Sequence, residues 1–447
     1  MQEISKAAIE CMEGVLEEKE AADWIYRGEG AVNLVLAYNG SSPDFVGKVL
    51  RIQKAPRGRS LCPTDTSVLS MFECLLWKDI NELVSSTSKE VVGQLFALYV
   101  MRPLLGSEHV DVGMRVLVSR RFLESIENNV HCQRPAWRVD AAKVDTLCDS
   151  ALLISDHSVF PRGALKESLC ISVEIKPKCG FVPCSKFIAE GNAIKRSITR
   201  FRMHQVLKLH QGEISQISEY DPLDLFSGSS DRIHKAIKAL FTTPQNNFRI
   251  FRNGSLIFGG LGGGTHNTNF VGSEAFEDLI EGLIQTDCGL STASFLQLVS
   301  ETIFRSGMLD RLLEAQKLDM LDIEGAIHAY YNIVSQPCKV CRDLGDGEFS
   351  SIYSSLHSIS LEESLKIVRD YLIASTAKDC SLMISFRSRE DGDPGSPQSN
   401  VCLESTNQSF EYKAYFIDLD MKPLDKMVYY YELDQKIVSC YTQMERT

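Results

Sequence analysis

The stretch Ser172-Val173-Glu174-Ile175-Lys176-Pro177-Lys178-Cys179-Gly180 decides how the rest of the chain is read. Its β-branched residues argue for a strand, and Pro177 disfavours the helical region for Lys176, so side chains here alternate between two faces. Glu174, Lys176 and Lys178 then share one face, while Val173 and Ile175 point towards a core. A proline cannot donate to a β-ladder, which predicts a sheet edge or a strand end. One carboxylate between an apolar face and two ammonium groups is a seat for phosphates. On spacing alone, a solvated strand edge with a surface ion pair is the commoner arrangement.

With 447 residues the chain is long for one core, which predicts two or three lobes. At 44% hydrophobic and 24% charged residues it has an ordinary globular composition. No run of about eighteen uncharged apolar residues is present to span a bilayer. The N-terminus, with Glu3, Glu10 and Glu13, lacks the basic-then-apolar pattern of a signal peptide. The expectation is a cytoplasmic and/or nuclear protein with no membrane partner, whose 14 cysteines are reduced thiols or metal ligands. The net charge of -12 argues against a nucleic-acid partner. A polyanionic small molecule remains permitted, because Lys and Arg cluster at 48–59, 176–208 and 422–426.

Residues up to Ala22 read as a short acidic helix. Tyr26-Arg27-Gly28-Glu29-Gly30-Ala31-Val32-Asn33 then leads into an apolar strand to Tyr38, a turn at Gly40–Pro43 and a second strand, Phe45 to Ile52. Such a hairpin lets backbone amides approach phosphates, since glycine has no Cβ in the way, although an ordinary glycine turn reads the same. Residues 56–70 read as a loop, Met71–Ser85 and Val91–Leu105 as apolar-rich segments. Trp137-Arg138-Val139 precede Ala151–Ser155, an apolar strand running into Asp156 and His157, as a linker between lobes would. Taken alone, His157 is an ordinary loop histidine.

Lys195–Leu209 reads as a basic amphipathic helix bearing Arg196, Arg200, Arg202 and Lys208, and Asp231–Phe241 as a further helix. Asn246 and Asn247, before a strand, suit hydroxyl and phosphate recognition or an Asx-turn. Gly259–Gly272 and Ser388–Asn407 read as mobile loops, and Ala275–Val334 as helical. Cys338-Lys339-Val340-Cys341, with His328 upstream and His357 downstream, has the donors for tetrahedral zinc; a bare Cys-x-x-Cys is also compatible with an incidental or redox pair. Ser360–Ala377 is an amphipathic helix with Leu361, Leu365, Val368 and Leu372 as its buried stripe. Lys378-Asp379-Cys380-Ser381 follows, then the strand Leu382–Phe386. A strand Tyr412–Ile417 ends in Asp418-Leu419-Asp420 and Lys422, a setting that suits magnesium ligands or loop-capping carboxylates.

Glu174-Ile175-Lys176-Pro177-Lys178, read with Met383-Ile384-Ser385-Phe386 and Ile417-Asp418-Leu419-Asp420-Met421-Lys422-Pro423, resembles the signature set of the plant inositol-pentakisphosphate 2-kinases, over roughly Trp24 to Tyr431. The resemblance implies an α+β, two-lobed kinase-like fold. In it a smaller β-rich nucleotide-binding lobe (1–155) precedes a larger α/β lobe (156–447) with inositide-binding regions and a structural zinc site. It implies ATP-dependent phosphorylation of the 2-hydroxyl of inositol 1,3,4,5,6-pentakisphosphate, a small-molecule substrate, to the hexakisphosphate by a monomer. It places Gly30, Asn33, Arg51, Glu174 and Arg249 on the nucleotide phosphates, the adenine against Ser155, Asp156 and His157, and Mg2+ on Asp418 and Asp379. Asp379 orients or deprotonates the acceptor hydroxyl and Lys176 bridges nucleotide and acceptor. Arg138, Lys178, Lys208, Asn246, Asn247, Lys422, Lys426 and Tyr430 face the acceptor, and His328, Cys338, Cys341 and His357 hold Zn2+.

Two positions depart from the family pattern. Where the family has an inositide-binding arginine this chain has Pro56, followed by Arg57, and at Lys426 an arginine is replaced by a side chain without the bidentate fork. The competing expectation is a catalytically weakened inositol-phosphate-binding or scaffold protein; retention of Lys176, Asp379 and Asp418 argues against it. A protein kinase is excluded by the absence of His-Arg-Asp and Asp-Phe-Gly triplets.

Overall fold

The computed structural model describes residues 11–57, 68–160, 169–260, 276, 280, 284, 291–344, 348–389 and 399–445. Among these the fold is mixed α+β with two sheets. The first contains β1 (Cys11–Leu16), β2 (Trp24–Glu29), β3 (Asn33–Tyr38), β4 (Lys48–Pro56), β5 (Met114–Val118), β6 (Ala142–Val144) and β7 (Ser150–Ser155). Their spatial order is β1-β5-β7-β4-β3-β2, with β6 paired to β4. The second contains β8 (Cys170–Ile175), β9 (Phe248–Arg252), β10 (Ser255–Phe258), β11 (Ser381–Ser388), β12 (Asn400–Leu403) and β13 (Gln408–Ile417), ordered β10-β9-β8-β11-β13-β12 and antiparallel throughout.

Each sheet has its own buried cluster. In the first, Leu34, Leu36, Leu50 and Ile52 alternate inward and meet Phe122 and Ile126 of the helix Arg120–Val130. In the second, Ile171, Val173 and Ile175 of β8 pack with Leu382, Ile384 and Phe386 of β11 and with the helices on that side. The segment from Leu69 to Val110 precedes β7 in sequence yet buries its apolar residues in this second cluster. Among the described residues no helix is long and apolar enough to cross a membrane, and the cysteines are free thiols.

The deciding stretch is a strand, and it lies between β9 and β11 rather than at an edge. Pro177 comes two residues after its last ladder position, so the strand-end alternative holds. All six residues of β8 are buried, including Glu174. The face opposite the core is covered by the chain leaving β7, whose Ser158 carbonyl accepts the Ser172 hydroxyl at 2.8 Å.

Several local expectations need correction. The N-terminal acidic helix is, within its described part, strand β1 and a 3-10 turn, Glu18–Asp23. The strand expected from Phe45 starts at Lys48, because Phe45–Gly47 turn back onto Ser42. Lys195 is not on the basic helix; it lies in the last turn of a 3-10 segment, Glu190–Arg196, ahead of the helix Arg200–His210, and is buried. Leu361 stands exposed at the first turn of the helix Leu361–Asp379, while Leu365, Val368 and Leu372 are buried as expected. Part of the second expected loop is strand β12; most of Gly259–Gly272 and of Ser388–Asn407 before β12 lies outside the described residues.

Candidate functional site

A cleft of about 1140 Å³ opens between the two sheets, lined by β2 to β4, the β7 exit, β8, β9 and the end of β13. At its roof the β2–β3 turn is closed by Gly30 N–H donating to the Asn33 carbonyl at 2.9 Å. Lys54, inward on β4, donates to the Gly30 carbonyl at 2.7 Å and pairs with Glu29, which also takes Arg134 Nε at 2.9 Å. All three side chains are buried. Burial would raise the Glu29 carboxyl pKa, but Arg134 and Lys54 outweigh it and hold it low. A charged brace therefore fixes the turn from beneath. Sequence reading missed Lys54 and Arg134, since nothing in the residue order shows that a charge is buried.

Arg51, on the same strand β4 as Lys54, donates from Nη2 to Asp420 at 2.8 Å, and Asn33 Nδ2 reaches the same carboxylate at 3.2 Å. Asp420 was given no role of its own from the sequence; it stands three residues past the end of β13, in irregular chain where Asp418 has a positive φ. It joins the two sheets across the cleft.

At the β7 exit, Asp111 accepts the Ser155 N–H at 3.0 Å and lies 3.3 Å from His157 Nε2. Burial would raise the Asp111 pKa; His157 and the Gly113 and Ser155 amides hold it below the ordinary carboxylate range. The His157 ring stacks on Tyr415 at 3.9 Å. Arg27 pairs with Asp156 at 2.7 Å. His157 is thus a fixed wall of the cleft rather than a free loop residue.

At the floor, Glu174 accepts Arg249 Nη1 at 3.0 Å and the Ser381 hydroxyl at 3.0 Å. Lys176 Nζ lies 3.4 Å from Asp418, whose φ of +60° is rare for a non-glycine residue. Its recessed position would lower the Lys176 pKa; Asp418 and Glu174 more than offset this and keep it charged. Asp379, the last residue of its helix, takes Lys178 at 3.2 Å and Lys422 at 2.8 Å. Desolvation would raise the Asp379 pKa, but Lys178 and Lys422 push it well below the ordinary carboxylate range.

Gly30, Asn33, Arg51, Arg138, Ser155, Asp156, His157, Glu174, Lys176, Lys208, Asn246, Arg249 and Asp418 all line the cleft. Lys178, Asp379 and Lys422 form a connected group beside Lys176, whose charge Asp379 also feels. Tyr430 is near enough to Asp379 that burial and that charge push its pKa up to about 12. Lys426 is exposed, its ammonium 5.7 Å above the Tyr429 ring. Asn247 differs most from expectation: it is buried, and its amide donates to the Lys176 carbonyl at 3.3 Å.

Away from the cleft, His328, Cys338, Cys341 and His357 bring four donor atoms within 4.8 Å of one another. His328 Nδ1 lies 3.4 and 3.5 Å from the two sulfurs, and His357 Nε2 lies 3.2 Å from Cys341 Sγ and 3.1 Å from His328 Nδ1. Tetrahedral bonds of about 2.0–2.3 Å set ligand atoms roughly 3.3–3.8 Å apart, so the donors already stand near the required spacing. Burial pushes the His328 pKa down to about 3, favouring the neutral imidazole that ligates. His357 Nδ1 faces Asn332 Oδ1 at 3.2 Å, which orients its ring for ligation through Nε2.

A cleft with a glycine turn and arginines at one end, lysines at the other and two carboxylates between them defines a phosphate-handling site with seats for a hard cation. The inositol-pentakisphosphate 2-kinase family model matches residues 26–436. The chain is 56% identical over 438 residues to the inositol-pentakisphosphate 2-kinase of Arabidopsis thaliana, covering 97% of this chain and 96% of that protein. It is 55% identical over 435 residues to that of Oryza sativa subsp. indica, covering 97% and 96%, and 30% identical over 486 residues to that of Danio rerio, covering 95% and 94%. The chain belongs to the inositol-pentakisphosphate 2-kinase family.

Proposed function

We propose that this protein transfers the γ-phosphoryl group of ATP to the 2-hydroxyl of inositol 1,3,4,5,6-pentakisphosphate, giving the hexakisphosphate. The observation that supports this reading is the pairing of Lys176 with Asp418 at the floor of the cleft, next to Asp379 held between Lys178 and Lys422, a set of cations suited to a polyphosphate. In the proposed two-lobed kinase-like arrangement, residues 1–155 supply the nucleotide roof and 156–447 the acceptor floor, with 69–110 carried on the larger core. Gly30, Asn33, Arg51, Glu174 and Arg249 surround the nucleotide phosphates, and Ser155, Asp156 and His157 border the base. Arg138, Lys178, Lys208, Asn246, Lys422, Lys426 and Tyr430 meet the acceptor.

A kinase of this family needs ATP and a divalent metal. Asp418 and Asp379 would hold Mg2+, which when bound neutralises charge on the transferring phosphate. Asp379, held ionised by Lys178 and Lys422, is a weak base. It orients the acceptor hydroxyl and takes its proton late, which suffices for a loose phosphoryl-transfer transition state. Lys176 contributes positive charge where the phosphate oxygens pass between donor and acceptor. The His328, Cys338, Cys341 and His357 set fits Zn2+ with no open position, a structural site.

Purified protein incubated with Mg-ATP and the pentakisphosphate should yield one product, with the new phosphate at position 2 by 31P NMR. Unchanged substrate, or phosphate added to another inositol phosphate alone, would overturn the assignment.

A further inference from the structure

The segment after β8 is irregular, and buried side chains rather than a sheet hold its backbone. Lys178 has φ +61°, a region that a non-glycine residue enters at a cost. Its own carbonyl and those of the two residues before it are each met by a donor: Asn247 Nδ2 on Lys176 at 3.3 Å, the Tyr220 hydroxyl on Pro177 at 2.7 Å and Gln316 Nε2 on Lys178 at 2.8 Å. Gln316, wholly buried, ends the helix Met308–Gln316. Its Oε1 accepts the Gly180 N–H at 2.8 Å, and Nε2 also donates to the Ala377 carbonyl at 3.1 Å. Ala377 lies in the last turn of the helix Leu361–Asp379, where carbonyls lack an intrahelical partner. One carboxamide thereby ties the turn bearing Lys178 to the helix end bearing Asp379. Gly180 makes the approach possible, since a Cβ there would fall 2.4 Å from the Phe226 ring.

We propose that Gln316 is a positioning residue for phosphoryl transfer, setting the Lys178 turn against the Asp379 helix end and so fixing where their side chains meet the acceptor. The proposal rests on the assignment of Lys178 and Asp379 to the site. The pocket presents two carbonyl acceptors and one N–H donor, and a glutamine carboxamide supplies two N–H donors and one acceptor. Removing it strips the Gly180 N–H and the Lys178 carbonyl of their partner, leaves the Ala377 carbonyl only the weak Cys380 thiol donor at 3.4 Å, and frees the turn from the helix. A displacement of about 1 Å at a reacting centre costs on the order of 10²-fold in rate.

The test compares Gln316→Met, Gln316→Glu, Lys178→Ala and the Gln316→Met/Lys178→Ala double variant, as full chains, with kcat and both KM values measured. Gln316→Met should lose roughly 10- to 100-fold in kcat with the ATP KM within about twofold of wild type. Its loss should be smaller in the Lys178→Ala background, because one positioned group is already gone. Gln316→Glu should regain activity relative to wild type as pH falls and its buried carboxyl takes up a proton, becoming a donor again. A folded Gln316→Met variant with wild-type kcat, losses that simply multiply in the double variant, or no acid recovery in Gln316→Glu would each overturn the proposal; the last applies even if Gln316→Met does not fold. Asp379→Asn separates the two levels. Full activity there removes the site reading itself, whereas an inactive Asp379→Asn beside a fully active Gln316→Met removes the positioning role alone.

Discussion

A pair of lysine–carboxylate clusters, each joining lysines from residues 176–195 to carboxylates from residues 322–434, are built from the same groups and left in opposite states of completion. Around Lys195, Asp322, Glu324 and Asp434 close in, with Glu324 at 2.9 Å and Asp434 at 2.7 Å, and Arg200 covers the outer oxygen of Asp434. All four central side chains are buried, and the three ammonium protons each have an acceptor. At the cleft floor Lys176 faces Asp418, and beside it Lys178 and Lys422 face Asp379; the two carboxylates remain 49% and 55% exposed. The first cluster is satisfied internally and joins the 3-10 segment, the helix Asp322–Ile333 and the C-terminal helix Met427–Met444. The second keeps oxygens and ammonium groups open to a ligand. Charge density alone does not mark the site; open valence does.

The buried cluster should be indispensable to the fold, and the open one not. Lys195→Met leaves three buried carboxylates without their cation and should destabilise the fold by about 3–5 kcal/mol, whereas Lys178→Ala at the cleft should change stability by less than about 1 kcal/mol. Denaturant melts of the two variants check both, and equal losses would erase the distinction. The donor group at His328, Cys338, Cys341 and His357 sharpens the same point. Chelation, or Cys338→Ser with Cys341→Ser, should lower the melting temperature by roughly 5 °C or more and release one zinc per chain; melting like wild type with no metal found would reject it.

A smaller effect separates the clusters by pH. Burial, partly offset by Lys195, raises the Asp322 pKa to about 6. A folded pKa above the unfolded one means that its stabilising contribution is complete below about 4 and lost as pH rises through 6. Asp322→Asn should therefore gain on wild type between pH 4 and 7 in thermal melts, and a constant difference across that window would contradict the shift. Asp379, with its depressed pKa, has the opposite sign and loses its contribution only in acid.

Much of this was legible in the sequence, for identifiable reasons. The β-branched residues before Pro177 placed β8, the strands expected at Leu382–Phe386 and Tyr412–Ile417 are β11 and β13, and the spacing of His328, Cys338, Cys341 and His357 foretold a group that the fold does assemble. What sequence could not separate was Lys195 from Lys208, because a buried lysine and a cleft lysine look alike until their partners arrive from residues 322–434. Asn247 misled for a related reason: an amide that suits a ligand equally suits a backbone carbonyl. At the family's missing arginine, Pro56 is followed by an Arg57 that donates to the Val139 carbonyl at 2.6 Å and approaches Glu127 at 3.4 Å. Arg57→Ala should thus leave the pentakisphosphate KM within about twofold, and Pro56→Arg should lower it through a new charge-assisted contact; a large loss with Arg57→Ala would show that Arg57 reaches the acceptor.

In the proposed mechanism the open cluster, not the closed one, carries the chemistry. Single-turnover transfer from Mg-ATP to the pentakisphosphate, measured for wild type, Lys176→Met and Asp379→Asn at matched folded concentration, tests it most directly. Either variant should slow transfer by roughly 10²- to 10⁴-fold while melting within a few degrees of wild type. Near-normal transfer in either one would contradict the account.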